Sequence, residues 1–339
     1  MQMNSLNDPK HLVKAVVRGE IKCLDVRAQS KYEISHLRKS VNIPSEKISK
    51  CWYQLPAKQE ELFVVEDQGD KIETEETGTC AQQLKKRGWN IAGHFMFSHK
   101  IWEDLSLPQN ELLESGPNRN LLFEPCPYLK EVMPVVEKGI KTNNARVLDI
   151  GCGSGRDLAW ICFRESGKHW MVSALDAEKR AIQRFSELFS GLGLEDRIEG
   201  KKVAKVDASG LWKLYTRDGK QEPNATAISL ADMLADFQNV PEGDVYKYDL
   251  VLQIRFLNRA LLRQSSSLLR NNGFLFLCTF VNDGVHQYEH PRGSDHRFEK
   301  GEAAAIVSES DGRIRVLKDE IGFIEDGRPV QILLAQKVE

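Results

Sequence analysis

Three acids and three glycines stand where they could hold a small ligand. In RVLDIGCGSGRD (146–157), Asp149 falls near the end of an apolar run, and Gly151, Gly153 and Gly155 follow at every second position. Glycines allow a sharp turn and let a ligand come close to bare backbone. Cys152 between them reads as a small residue whose backbone N–H, rather than its thiol, would matter. Asp176 ends the next apolar run, HWMVSALD, where a carboxylate can accept both hydroxyls of a ribose. Asp207 in GKKVAKVDAS follows a third run and is placed to receive an adenine amino group. Asp149 can reach an ammonium, directly or through water. Acids at three successive strand ends suit a cationic, ribose-bearing ligand.

The elements that must position these groups alternate in type. RVLDI reads as a strand and RDLAWICFRE as the helix after it. KYDLVLQIRFLNRALLRQSSSLLRNNGFLFLCTF (247–280) reads as strand, helix, turn and strand. GRIRVLKDEIGFIEDGRPVQILLAQK (312–337) reads as two strands about a turn at Asp326-Gly327. The run 208–247 is longer than a simple crossover and contains YTRDGK, so VDASGLWKLYTRDG also fits a hairpin arm. That leaves the register of Asp207 open.

Groups that meet a second reactant belong in loops at the carboxyl ends of such strands. Gln253 and Arg255 in QIRFLN qualify, as do His286, His290, His296, Arg292 and Arg297 in the loop 281–302. The H-x₃-H-x₅-H spacing in a Pro/Gly loop is a poor metal-ligand pattern, so no metal is expected. These histidines read as solvated loop residues or as part of an anion or acceptor site with Arg292 and Arg297 as donors. Phe123 and Tyr128 in FEPCPYL read as packing residues or as a cover for the ligand.

Over about 122–339 this pattern resembles the class I methyltransferases that use S-adenosylmethionine. The resemblance implies a Rossmann-like, mostly parallel seven-stranded sheet with a C-terminal antiparallel hairpin. It implies cofactor binding by Asp149, Gly151, Cys152, Gly153, Gly155, Asp176 and Asp207. It also implies in-line methyl transfer, in which the protein mainly aligns two reactants and a base is needed only for a protonated nucleophile. Gln253, Arg255, His296 and Arg297 are the candidate catalytic residues. RFLNRALL, Thr279-Phe280 and Gly301-Glu302 are similar to the tellurite-resistance-type methyltransferases, which directs attention to a small thiol or chalcogen acceptor.

Residues 1–105 form a separate block. IKCLDVR (21–27), ELFVVED (61–67) and NIAGHFMF read as strands and CAQQLKKRGW (80–89) as a helix, which gives a parallel sheet. LDVRAQSKYEISHLRKSVNIP (24–44) resembles the rhodanese family through Asp25-Val26-Arg27, Tyr32-Glu33, His36 and Asn42-Ile43-Pro44. Sulfur transfer in that family needs a cysteine thiolate after the central strand. Glu66 and Asp67 stand there instead, and they would repel an anionic sulfur donor. Cys80 comes more than a dozen residues late and reads as a buried structural cysteine. The ETEE run at 73–76 reads as a solvated loop face. The block is therefore expected to be a rhodanese-like docking module without sulfurtransferase activity.

The expected fold class is α/β. A rhodanese-like parallel-sheet domain spans 1–105, and a joint at 106–128 holds four of the twelve prolines. A Rossmann-like methyltransferase domain spans 129–339. The net charge of −2 over 339 residues gives no electrostatic reason to expect nucleic acid. No apolar run is long enough to cross a bilayer, and the N-terminal stretch lacks an apolar signal core. Seven scattered cysteines without a CxxC suit a reducing compartment, so a cytoplasmic location is expected, with nucleus and mitochondrion left open. A protein partner of the first block, an RNA or protein acceptor, and a scaffold without chemistry are the alternatives.

Overall fold

The computed structural model describes residues 9–67, 78–98, 108–214, 228–229, 232, 234, 247–291, 293–309 and 313–338. ETEE at 73–76, YTRDGK at 215–220 and Arg292 lie outside the described residues. The chain divides into two compact units, one running to Glu124 and the other comprising Pro125–Ser190 and Leu194–Glu339.

In the first unit the short strands are β1 (Lys22–Asp25), β2 (His36–Leu37), β3 (Ser40–Asn42), β4 (Glu61–Glu66), β5 (Asn90–Met96) and β6 (Leu113–Glu114). Four of them make a parallel sheet in the order β3-β1-β4-β5. LFVV of β4 is buried throughout, as expected of a strand covered on both faces. Leu24, Leu62 and Val64 join one core, while Cys23, Phe63 and Val65 join the other. Helix Cys80–Lys86 opens with a reciprocal cap in which Gln82 N donates to Thr79 Oγ1 and Thr79 N donates to Gln82 Oε1.

The proline-rich stretch read as a joint is largely part of this unit. β6 pairs with β2 through His36↔Glu114 and Leu37↔Leu113, and Leu112 and Leu122 are buried in the cores. The Asn118 amide bonds both the N–H and the carbonyl of Asn42. A pairing across more than seventy residues holds the segment, and local composition carries no trace of it.

In the second unit the strands are β7 (Asn144–Ile150), β8 (His169–Asp176), β9 (Ile198–Val206), β10 (Trp212–Leu214), β11 (Tyr248–Ile254), β12 (Leu269–Asn282), β13 (Phe298–Glu299), β14 (Ile314–Phe323) and β15 (Pro329–Lys337). They form one nine-stranded sheet in the order β10-β9-β8-β7-β11-β12-β15-β14, with β13 beside β12. β7, β8, β9, β11 and β12 run parallel; β15 runs antiparallel to β12, and β14 pairs antiparallel with β15 in the closing hairpin. The expected seven strands are all present, and β10 and β13 extend the set. The order reverses between β7 and β11, the place in such sheets where a crevice opens at the carboxyl ends. The open register of Asp207 is settled as a hairpin, since β9 and β10 are antiparallel around residues 207–211.

The residues that carried the tellurite-type resemblance act as clamps. Arg259 Nη2 donates to Glu302 Oε2 at 3.0 Å, joining helix Arg259–Leu268 to helix Glu302–Glu309. Asn258 caps the first of these by accepting from Leu261 N, and its amide donates to the Asp207 carbonyl. Among the described residues no helix is long and apolar enough to cross a membrane.

Candidate functional site

Asp149 lies in β7 beside the reversal point and is 2% exposed. Its Oδ1 has no hydrogen-bond partner. Burial pushes this carboxyl well above the usual aspartate value, and the neighbouring charges of Asp157 and Asp176 push it further. A buried polar atom without a partner costs on the order of 1–3 kcal/mol. A ligand cation placed there would offset that cost.

The glycine turn after β7 behaves differently from the sequence expectation. Gly151 N and Cys152 N both donate to the Leu175 carbonyl, Gly153 N donates to Asp176 Oδ2 at 2.8 Å, and Gly155 N donates to the Cys152 carbonyl. The Cys152 N–H is therefore engaged by the neighbouring strand rather than offered to a ligand, because the β7–β8 ladder continues into the turn. Two of the glycines are required by the protein's own packing. A Cβ on Gly151 would come within 2.8 Å of Phe256, and one on Gly155 within 2.3 Å of Phe185. Gly153, at φ +55°, has nothing within 4 Å of such a Cβ, so it alone of the three borders open space.

Asp176 ends β8 half-exposed, with Oδ2 accepting from Gly153 N and Oδ1 from Glu178 N, each at 2.8 Å. Each oxygen keeps a lone pair for a further donor. Asp207 follows β9 as expected, but its Oδ1 accepts from Ser209 Oγ, Ser209 N and Leu211 N. The Ser209 hydroxyl and these amides hold its carboxyl below the usual range. An acid that closes its own turn so fully is a poor adenine receptor through Oδ1.

Gln253 is fully buried and neither of its amide atoms has a partner. Leu252 pairs with Asp149 in register, so Gln253 projects from the opposite face of the sheet. The structure does not bring it to Asp149. Arg255 directly follows β11. It adopts φ +55°, its N–H donates to the Cys278 carbonyl at 2.7 Å, and its charge acts on Asp157. Arg297 lies 4.6 Å over the Tyr288 ring with its Nε buried and unpartnered, and Tyr288 in turn bonds the carbonyls of Val281 and Pro329. His296 is exposed in a short turn at 294–296. Tyr128 is a packing residue whose hydroxyl bonds both the N–H and the carbonyl of Phe323. Among the described residues no group of three His, Cys, Asp or Glu is arranged to hold a metal ion.

Sequence reasoning missed Asp157. Its Oδ1 accepts from Cys126 N at 2.6 Å, and burial raises its carboxyl while Arg156 and Arg255 lower it. The signal available was an acid just after the glycine turn, and its partner Cys126 is distant in sequence.

The first unit has a comparable position with the opposite outcome. Glu66 at the end of β4 accepts from Cys80 N at 2.9 Å and Ala81 N at 3.2 Å. Its own carboxylate thus fills the amides that an anionic donor would need. Cys80 is buried, and desolvation followed by the Glu66 charge pushes its thiol up to about 12. The residues of the DVR…YE…H…NIP pattern bond one another. Arg27 donates to Asp25 through Nε and Nη2, and its guanidinium lies 3.6 Å over Phe97. The ring of His36 stacks on Tyr32 at 3.7 Å, and the Asn42 amide donates to the carbonyls of Asp25 and Arg27.

Comparison with known proteins gives one family match and several distant structural likenesses. A family model described as a methyltransferase domain matches residues 118–313, more than half of the chain. A methyltransferase from Burkholderia thailandensis, solved with 1,6-didemethyltoxoflavin and S-adenosylhomocysteine, is 17% identical, with 63% of this chain and 79% of that chain covered and a TM-score of 0.39. TehB from Haemophilus influenzae is 17% identical, with 61% and 62% covered and a TM-score of 0.38. An S-adenosylmethionine-dependent methyltransferase from Methanosarcina mazei is 14% identical, with 60% and 97% covered and a TM-score of 0.36. At these scores the structural likenesses carry no weight for the reaction of this chain.

Proposed function

The chain belongs to the methyltransferase-domain family, whose methyl donor is S-adenosylmethionine, and we propose that it methylates a small anionic acceptor by in-line displacement. The observation that carries this reading is the buried, unpartnered Oδ1 of Asp149 beside two further acids. A site of that charge fits a donor that bears an ammonium and a sulfonium. When bound, S-adenosylmethionine supplies an electrophilic methyl group.

The chain's own residues then have distinct tasks. Asp149 accepts the ammonium, directly or through a water. Asp176 accepts the ribose hydroxyls with the lone pairs left by Gly153 and Glu178. Gly153 leaves room for the ligand to pass close to the turn. Arg255 and Arg297 draw in a negatively charged acceptor, and a thiolate or a chalcogen oxyanion suits them. Such a nucleophile arrives deprotonated and needs no general base.

The first unit, in this proposal, is a rhodanese-like module that docks a partner and performs no sulfur transfer. The Glu66 carboxylate on the Cys80 and Ala81 amides supports that view, as does the high Cys80 thiol.

Calorimetric titration with S-adenosylmethionine tests the reading. Wild-type protein is expected to bind in the micromolar range and Asp176→Ala to lose that binding. Absence of binding by folded wild-type protein would overturn it.

A further inference from the structure

A cavity of about 350 Å³ opens at the amino ends of β7, β11 and β12 in the second unit. Ile140, Lys141 and Thr142, between helix Pro127–Gly139 and β7, form one wall. Asp249 of β11 and Arg270, Asn271 and Asn272 of β12 form the rest. The glycine turn and Arg255 lie at the other ends of these strands. Asp249 stands six residues before Arg255, about 20 Å along an extended strand.

The walls are fixed by the protein's own bonds. Lys168 Nζ donates to the carbonyls of Ile140 and Thr142, each at 2.8 Å. Gln336 Nε2 donates to the Asn272 carbonyl at 3.2 Å. Asp249 Oδ2 accepts from Arg146 N and from Arg270 Nη1, each at 2.8 Å. The groups that would repel an anion are thus already met by donors. The carboxyl end of helix Pro127–Gly139, the negative end of its dipole, meets the Lys168 ammonium, and Asp249 meets Arg270. Among the described residues, Lys141 and Arg270 are the cations lining the cavity and Asp249 is the acid, so positive charge exceeds negative. The side-chain amides of Asn271 and Asn272 add neutral donors. Fixed walls lower the ordering cost that a ligand would otherwise meet.

We propose that this cavity binds the phosphate group of a small molecule, with Lys141 and Arg270 on its oxygens and the amides of Asn271 and Asn272 completing the shell. A guanidinium presents a planar fork and an ammonium a compact charge, and both suit phosphate oxygens. The volume is at the small end of the range for ligand sites, which limits the molecule that carries the phosphate. The site does not depend on the identity of the methyl donor or of its acceptor.

Calorimetric titration of the full-length protein with inorganic phosphate and with ribose 5-phosphate, at constant ionic strength, tests this. Wild-type protein is expected to bind, and Lys141→Ala to bind about tenfold more weakly, the scale of one charged hydrogen bond. Lys141 is exposed, so that variant is expected to keep its fold. Arg270→Gln is expected to lose the binding, with circular dichroism checking the fold because Asp249 loses a partner; if it does not fold, Lys141→Ala decides. Arg297→Gln is expected to bind as wild type does, which separates this cavity from the loop 281–302. Tighter binding of ribose 5-phosphate makes the ligand an organic phosphate, and equal binding makes it free phosphate. No binding of either probe overturns the proposal. So does binding that Lys141→Ala leaves unchanged, or that Arg297→Gln abolishes.

Discussion

Glu66 and Asp149 occupy corresponding places among the parallel strands of two sheets, each at or near the carboxyl end of a central strand that leads towards a helix. Glu66 turns onto the first amides of helix Cys80–Lys86 and is satisfied there. Asp149 keeps one oxygen unpartnered, because the amides of the following turn bond β8 and Asp176 instead. One carboxylate has become part of its scaffold, and the other, in the proposed function, is left for a ligand. Residue type and position alone do not distinguish them. The destination of the nearest N–H groups does.

The largest effect that tests this contrast belongs to Asp149→Asn. Removing the charge is expected to weaken S-adenosylmethionine binding by about a hundredfold, the scale of a charged hydrogen bond in a buried site, while the fold holds. Calorimetry and urea unfolding read the two quantities separately. Equal binding by the variant would erase the contrast.

Glu66→Ala should do the reverse. Two buried amides lose their partner, and the first unit is expected to lose about 2 kcal/mol in urea unfolding, with binding of S-adenosylmethionine unchanged. A loss of binding with intact stability would show that the roles had been exchanged.

A pH series sharpens the contrast further. The folded carboxyl of Asp149 lies above its ordinary value of 3.8, as does that of Asp157. The part of the unliganded second unit's stability that these two carboxyls contribute is therefore fully present below that value and is lost as pH rises through the raised folded values. Asp149→Asn should flatten this slope by the part Asp149 contributes, read as urea midpoints across the series. Binding of a cation favours the ionised form, so titrations in buffers of different ionisation heat should show a proton released.

The smallest effect concerns Arg255, whose left-handed backbone strains a residue with a Cβ. Arg255→Gly is expected to stabilise the second unit by up to about 1 kcal/mol and to weaken the acceptor's KM more than the binding of S-adenosylmethionine. A destabilised variant would mean that its side chain, rather than its reach, is what the site needs.

The places of the candidate-site residues were legible because their spacing is local. The glycines, Asp149 and Asp176 follow from spacing within single strand–turn units, and the hairpin at Asp326-Gly327 lies where its turn residues indicate. Asp207 was legible in place but not in role, since its turn hydrogen bonds depend on the side chain of Ser209 and the N–H of Leu211. Asp157 was illegible in role because its partner, Cys126, arrives from another element. The pairing of segment 108–124 was illegible for the same reason. Its strand bonds depend on His36 and Leu37, and composition alone marks such a stretch as loose.

β15 lies between β12 and β14 although it follows both in the chain. The sheet is therefore completed by insertion, and β14 has no edge to join until β15 has arrived. Contacts of such long sequence separation form late in folding. Trimming β15 would not shave a margin from the domain. It would strand β14 and expose Phe274–Phe280 of β12 as a sticky edge, inviting pairing with other chains. Shortening or tagging this region is therefore a question of solubility before it is one of activity.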